Sequence, residues 1–193
     1  MTIARGCFLH GSTAALTAAF LLPGAAVAKP TELGPHVHGL NGASLNFHTH
    51  YNLKLRILDG PDWHLESARG SVVFFNFFAT WCPPCREETP QLIAFAAAHP
   101  EVTVIAVDVQ EPDDKVREYR KKYGVPFPIG MDESGGFFSN TGAKGYPTTL
   151  IFRPDGRLSC AYLGGGNVAA FEEELRYALD PSRDVTPSPD ARA

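Results

Sequence analysis

The run from Val72 to Phe78, Val-Val-Phe-Phe-Asn-Phe-Phe, constrains this chain more than any other stretch. Successive residues of a strand point to opposite faces of its sheet, and here both parities are apolar, with Asn76 the one interruption. A strand of that kind is buried on both faces, the condition met in parallel sheets covered by helices. It ends at Ala79-Thr80-Trp81 and delivers the chain to Cys82-Pro83-Pro84-Cys85. A helical pattern follows, with Leu92, Phe95 and Ala96 on one side, a stop at Pro100, and Pro90 inside it as an expected kink.

Similar signals place the remaining elements. Asn52–Leu58 reads as a strand, Asp59-Gly60-Pro61 as a turn and Trp63–Leu65 as a short return strand. Val102–Val109 is a second buried-type strand, and Asp113–Tyr123 an amphipathic helix with Val116, Tyr119 and Tyr123 on its apolar side. A short strand is expected in Pro126–Met131. Thr148–Phe152 and Leu158–Leu163 form a hairpin through Pro154-Asp155-Gly156, and Val168–Leu179 a closing helix with Phe171, Leu175 and Leu179 on its stripe. The order predicts an α/β domain over residues 51–180: an N-terminal β-hairpin, a βαβα segment, then an antiparallel ββα unit, making a mixed central sheet flanked by helices. The Pro- and Ser-bearing stretch 181–193 has no core to join and is expected to be a disordered tail.

The N-terminus sets the redox setting. Arg5 precedes an apolar run, Ala14–Leu22, then Pro23-Gly24 and the small-residue pattern Ala26-Val27-Ala28, with no acid before Glu32. This is the layout of a secretory signal spanning residues 1–28. An uncleaved membrane anchor is the alternative, and the run is short for a span of about 20 apolar residues. Either way the folded part is expected in a periplasmic or otherwise extracytoplasmic space. Cleavage leaves residues 29–193 with net charge −5, which recommends neither nucleic acid nor an anionic membrane as the main partner. It also removes Cys7 and leaves Cys82, Cys85 and Cys160, an odd number that excludes a disulfide-stapled mini-protein. Cys160, flanked by Leu158 and Tyr162 on the same strand parity, reads as a small buried hydrophobe.

A Cys-x-x-Cys can be half a zinc knuckle, a structural disulfide or a redox dithiol, and the surroundings decide. Zinc needs a second pair, and none exists. At the end of a buried strand Cys82 is expected exposed in the first turn of a helix, with Cys85 at i+3 near enough to close a small disulfide ring. The helix N-terminus favours an anion, so Cys82 is expected to be the attacking thiolate. Pro83 and Pro84 offer no N–H, which leaves the Cys85 amide to donate to the Cys82 sulfur, and Arg86 adds positive charge. Trp81 belongs to the rim where a partner would sit.

The segment Asn76–Pro90, with Thr80-Trp81-Cys82-Pro83-Pro84-Cys85-Arg86-Glu87-Glu88 at its centre, resembles the active-site stretch of TlpA/ResA-type thioredoxin-fold thiol:disulfide oxidoreductases. Gly145-Tyr146-Pro147-Thr148-Thr149-Leu150-Ile151-Phe152 and Asp155-Gly156 resemble the same family's cis-proline strand and following hairpin. The likeness runs from about Leu53 to Leu179. It implies a thioredoxin-like fold with a central strand-helix insertion within Val102–Met131, a cis Pro147, and a Tyr146 backbone that pairs with substrate, alongside Trp81 and Pro83. Thioredoxins proper carry a buried Asp where this chain has Asn76, which cannot titrate, so another group must take the Cys85 proton. Glu88 lies on roughly the face of Cys85 and Glu87 on the water side. The resemblance places a functional glutamate at Glu88, which could act as base for Cys85; an acid that merely complements the helix dipole is the alternative.

The resemblance further implies a disulfide reductase that needs no cofactor beyond its Cys82–Cys85 pair. Its partners would be protein thiol/disulfide substrates, with apocytochrome c or copper-handling proteins as candidates, and a membrane thiol-transfer protein would supply electrons. Two other readings stay open. A disulfide-introducing oxidant keeps the chemistry and reverses it; a copper or other metal chaperone would use the Cys pair with His36, His38, His48 or His50 of the His-containing lead-in, residues 29–50. An exposed polar arm explains those histidines equally well. Trp63, His64 and His99 carry no assigned role.

Overall fold

The computed structural model describes residues 51–180 and the backbone of His36–His38. The elements are β1 (His36–His38), β2 (Lys54–Ile57), β3 (Trp63–His64), a 3-10 turn (Leu65–Ala68), β4 (Val73–Phe78), α1 (Pro83–Ala98), β5 (Thr103–Val109), α2 (Asp113–Tyr123), β6 (Ile129–Asp132), α3 (Gly136–Asn140), β7 (Thr148–Phe152), β8 (Leu158–Leu163) and α4 (Val168–Leu179).

All six residues of β4 are buried, as its two-sided apolar pattern requires. It sits mid-sheet in the order β1-β8-β7-β4-β5-β6-β2-β3. Strand β5 pairs with it in parallel, and β7 lies antiparallel on its other side. The core divides accordingly. Phe74, Leu92, Phe95, Val116, Phe171 and Leu175 fill the side under α1, α2 and α4, while Leu55, Phe75, Phe77, Val107 and Leu150 fill the other with Phe137 and Phe138 of α3. The mixed α/β sheet flanked by helices agrees with the expected fold class.

Two elements depart from the expectation. His36–His38, read as part of a lead-in ahead of the domain, forms β1 and pairs in parallel with Cys160–Tyr162. Backbone pairing on the outer edge of β8 supplies what side-chain periodicity did not announce. The short helix α3 was also not foreseen: its segment is rich in Gly and Ser, and Asp132 Oδ2 organises it by accepting from the Phe138 amide at 2.7 Å. Residues 1–35, 39–50 and 181–193, which include the expected signal, Cys7, His48, His50 and the tail, lie outside the described residues. Among the described residues no helix is long and apolar enough to cross a membrane.

Candidate active site

Strand β4 ends against the N-terminus of α1, where Cys82 is the N-cap and Pro83 and Pro84 fill the first helical positions. Proline suits those positions because their amides have no helical acceptor. The free amide of Cys85 donates to Cys82 Sγ at 3.3 Å, and the two cysteines form a disulfide with Cα atoms 5.3 Å apart. The sequence led to an exposed Cys82, and the structure corrects this: Cys82 is 3% exposed. Its sulfur is turned inward to the Cys85 sulfur and amide, and its neighbour Trp81 takes the surface position at 61% exposure.

Beside the pair, the Tyr146–Pro147 bond is cis, as the resemblance implied. The Tyr146 ring stands edge-on to Trp81 with centroids 5.9 Å apart and rests against Phe138 at 4.6 Å. Trp81, Pro83 and Tyr146 reach the surface at this end of the sheet, and Pro147 is buried beneath them.

Glu88 follows Cys85 by one turn of α1 and points inward, 3% exposed, whereas Glu87 is exposed. Its carboxylate accepts from Asn76 Nδ2 and from the Gly166 amide, each at 2.8 Å. Burial pushes its pKa up to about 7, against the opposing pull of those two donors. Asn76 also donates to Thr149 Oγ1 at 2.9 Å, so a side chain that cannot titrate orients the carboxyl that can. A Cβ on Gly166 would run into the Phe171 ring, so a glycine is what brings its amide to Glu88 here. On the far side of Cys85, its carbonyl accepts from Thr89 Oγ1 at 2.8 Å, and Thr89 shares a 2.6 Å hydrogen bond with the Tyr119 hydroxyl. Desolvation pushes Tyr119 up to about 12.

A second group of acids adjoins the Cys82 side. Glu111 accepts from both the amide and the hydroxyl of Thr80, and its own amide donates to Asp108 Oδ1 at 3.1 Å. Asp108 is fully buried at the end of β5 and its pKa rises to about 8, first through burial and then through Glu111. The sequence assigns no role at the site to Asp108, Glu111, Thr89 or Gly166, and places Tyr119 only on the apolar side of α2. The available signal for Asp108 was an acid inside an otherwise apolar strand. Cys160 lies fully buried in β8, as expected for its neighbours, and is not a free thiol. Among the described residues no group of three His, Cys, Asp or Glu is placed to hold a metal.

A cysteine pair at a helix N-terminus, ending a central strand and facing a cis-proline strand, defines a thioredoxin-like thiol-disulfide oxidoreductase. The family model of the AhpC/TSA family matches residues 48–160, and the chain belongs to that family. It is 32% identical over 124 residues to the thiol-disulfide oxidoreductase ResA of Halalkalibacterium halodurans, covering 63% of this chain and 70% of that protein. Among solved structures it resembles MTB DsbF in its mixed oxidized and reduced forms (TM-score 0.59, 29% identity, 70% of this chain and 97% of that one). It also resembles a thioredoxin-family thiol:disulfide interchange protein from Chlorobium tepidum (TM-score 0.60, 27% identity, 68% and 97%).

Proposed function

We propose that this oxidoreductase works outside the cytoplasm and reduces disulfides of partner proteins. The observation that carries the reading is Glu88, an inward-facing carboxyl one helical turn from Cys85 whose pKa of about 7 suits proton transfer near neutrality. With the pair reduced, the Cys82 thiolate attacks a partner disulfide, forms a mixed disulfide and releases one partner thiolate. Cys85 then gives its proton to Glu88 and attacks the Cys82 sulfur. The mixed disulfide breaks, the second partner thiolate leaves and takes a proton, and the Cys82–Cys85 disulfide of the structure remains. Two electrons have passed to the partner. A thiol-transfer protein of the membrane would return the pair to its reduced form.

Trp81, Pro83 and Tyr146 form the surface on which an extended partner segment would lie, with the Tyr146 backbone available for pairing and Pro147 setting its course. Apocytochrome c and copper-handling proteins with oxidised cysteines are candidate clients. The secretory layout of residues 1–28, cleaved or retained as an anchor, supports the periplasmic placement.

The test is the redox equilibrium of the full chain in graded thiol buffers, read by thiol trapping and mass spectrometry with Cys82→Ser as control. A potential near or below about −230 mV is expected of a reductase; one near about −120 mV would make the protein an oxidant. A pair that retains a stoichiometric metal and does not exchange would replace both readings with a metal chaperone.

A further inference from the structure

The turn that carries Trp81 and Cys82 is held within itself by the Cys82 amide on the Ala79 carbonyl at 3.1 Å, and it is tied to the neighbouring β5–α2 loop at Thr80. The Thr80 amide and hydroxyl both donate to the Glu111 carboxylate, while its carbonyl accepts from Arg86 Nε at 2.8 Å. Glu111 reaches Thr80 from a loop with an unusual backbone: Gln110, a non-glycine residue, sits at φ 63°. Such a conformation is uncommon and persists only where its surroundings over-determine it. Here Gln110 is held through its amide to the Asp132 carbonyl and its side chain to the Ser134 carbonyl.

Beneath Glu111 lies Asp108, fully buried between the ends of β4 and β6, opposite Phe78 and Met131. Its Oδ1 accepts the Glu111 amide at 3.1 Å, and its side chain meets the Glu111 carboxyl. Two carboxyl groups in contact, one of them fully buried, cannot both ionise cheaply, and burial and the Glu111 carboxyl together make Asp108 keep its proton. The other charged groups around the pair are Asp113 of α2, Asp132 of β6, and Arg86 of α1 at the Thr80 carbonyl. Tyr146, whose ring stands against Trp81, feels Asp108, Asp132 and Glu111 together.

We propose that Asp108 and Glu111 are positioning residues that hold the Thr80–Trp81–Cys82 turn in its partner-binding place while Asp108 is protonated, and release it when that proton is lost. With Asp108 neutral, the Glu111 carboxylate faces the two Thr80 donors with no second charge behind it. Without that proton, a second charge is buried against the first, and relief comes from Glu111 moving away from Asp108 and off Thr80. Trp81 then loses its edge-on place against Tyr146. The proposal concerns the partner-binding rim and does not depend on whether exchange runs as reduction or oxidation.

The test uses the oxidised full chain, so that no active-site thiol titrates, in a Trp63→Phe background that leaves Trp81 as the fluorophore. Tyr146 is held above its ordinary pKa and stays neutral through the range. Trp81 emission and anisotropy are expected to titrate with a midpoint above neutrality. Asp108→Asn, which keeps a donor towards Glu111 and has no proton to lose, is expected to abolish the titration and leave the low-pH signal in place. Glu111→Gln is expected to give a pH-independent signal displaced from the low-pH one. In exchange assays, the reduced protein should lose about tenfold in rate with a disulfide-bonded peptide above the midpoint, and little with dithiobis(2-nitrobenzoate), which needs no rim; the Asp108→Asn peptide rate should show no fall across that midpoint. An Asp108→Asn protein that folds and titrates as before, or a Glu111→Gln protein with unchanged Trp81 signal and peptide rate, would overturn the proposal. A protein that exchanges only as an oxidant would remove the function proposed above and leave this inference standing.

Discussion

Glu88→Gln separates a buried titrating acid from a merely polar one, and the sign of its effect on stability follows from the structure. The folded state raises the Glu88 pKa from 4.5 to about 7, so it binds the proton more tightly than the unfolded chain does. Stability is therefore greatest below pH 4.5 and falls as pH rises to about 7, by about 3 kcal/mol for this one group. The glutamine variant has no proton to lose at this position and lacks that slope. Its side-chain amide must face two donors, Asn76 Nδ2 and the Gly166 amide, which costs about 1 kcal/mol at every pH. Asp108 and Glu174, each raised to about 8, bend both proteins' profiles alike and cancel from the comparison. Urea unfolding of the oxidised proteins at constant ionic strength, from pH 4 to pH 8, should show the gap moving by about 3 kcal/mol in favour of the variant. Parallel profiles would refute the reasoning, since they would mean that Glu88 ionises in the fold as easily as in water.

Other substitutions probe the frame of the site. Phe171→Ala removes a fully buried ring packed edge-on against Phe74 and tilted against Phe95 and should destabilise the protein by about 3–5 kcal/mol in the same urea assay. Gly166→Ala drives a Cβ into Phe171 and pulls the Gly166 amide off Glu88; the Glu88 pKa should rise further, read from its carboxyl carbon by NMR titration. Tyr119→Phe deletes the hydroxyl on Thr89 at 2.6 Å and should lower stability by about 1 kcal/mol, measured by thermal unfolding.

What the sequence made legible follows the range of each interaction. Helices α2 and α4 and strands β7 and β8 match their expected bounds, because apolar periodicity and a local turn at Pro154-Asp155-Gly156 specify them without distant partners. Helix α3 depends on Asp132 reaching Phe138 and on Phe137 and Phe138 packing against Phe75 and Phe77, contacts that no local window contains. The inward side of Glu88 was readable from its i+3 spacing to Cys85, but its donors were not: Gly166 is 78 residues away. Cys82 was misread as exposed because a helix N-terminus tells where a side chain starts, whereas the direction of its sulfur is set by Cys85. Glu174, buried on α4 with both carboxylate oxygens lacking partners, lies three residues from Phe171 on the expected apolar stripe, a visible conflict that periodicity alone passed over.

The two proposals place opposite demands on the same α1 terminus. Glu88 must be ionised to accept the Cys85 proton, which requires a pH near or above about 7. Asp108 must keep its proton to hold the Cys82 turn, which requires a pH below about 8. One acid is set apart by burial among neutral donors, the other by burial against a second carboxyl, so their windows overlap only narrowly around mild alkalinity. Exchange with a peptide disulfide should then follow a bell whose acidic limb vanishes in Glu88→Gln, at a lower plateau, and whose alkaline limb vanishes in Asp108→Asn. If both limbs survive in either variant, the carboxyl removed does not set its assigned limb; if they survive in both, the rate is governed by the cysteines alone.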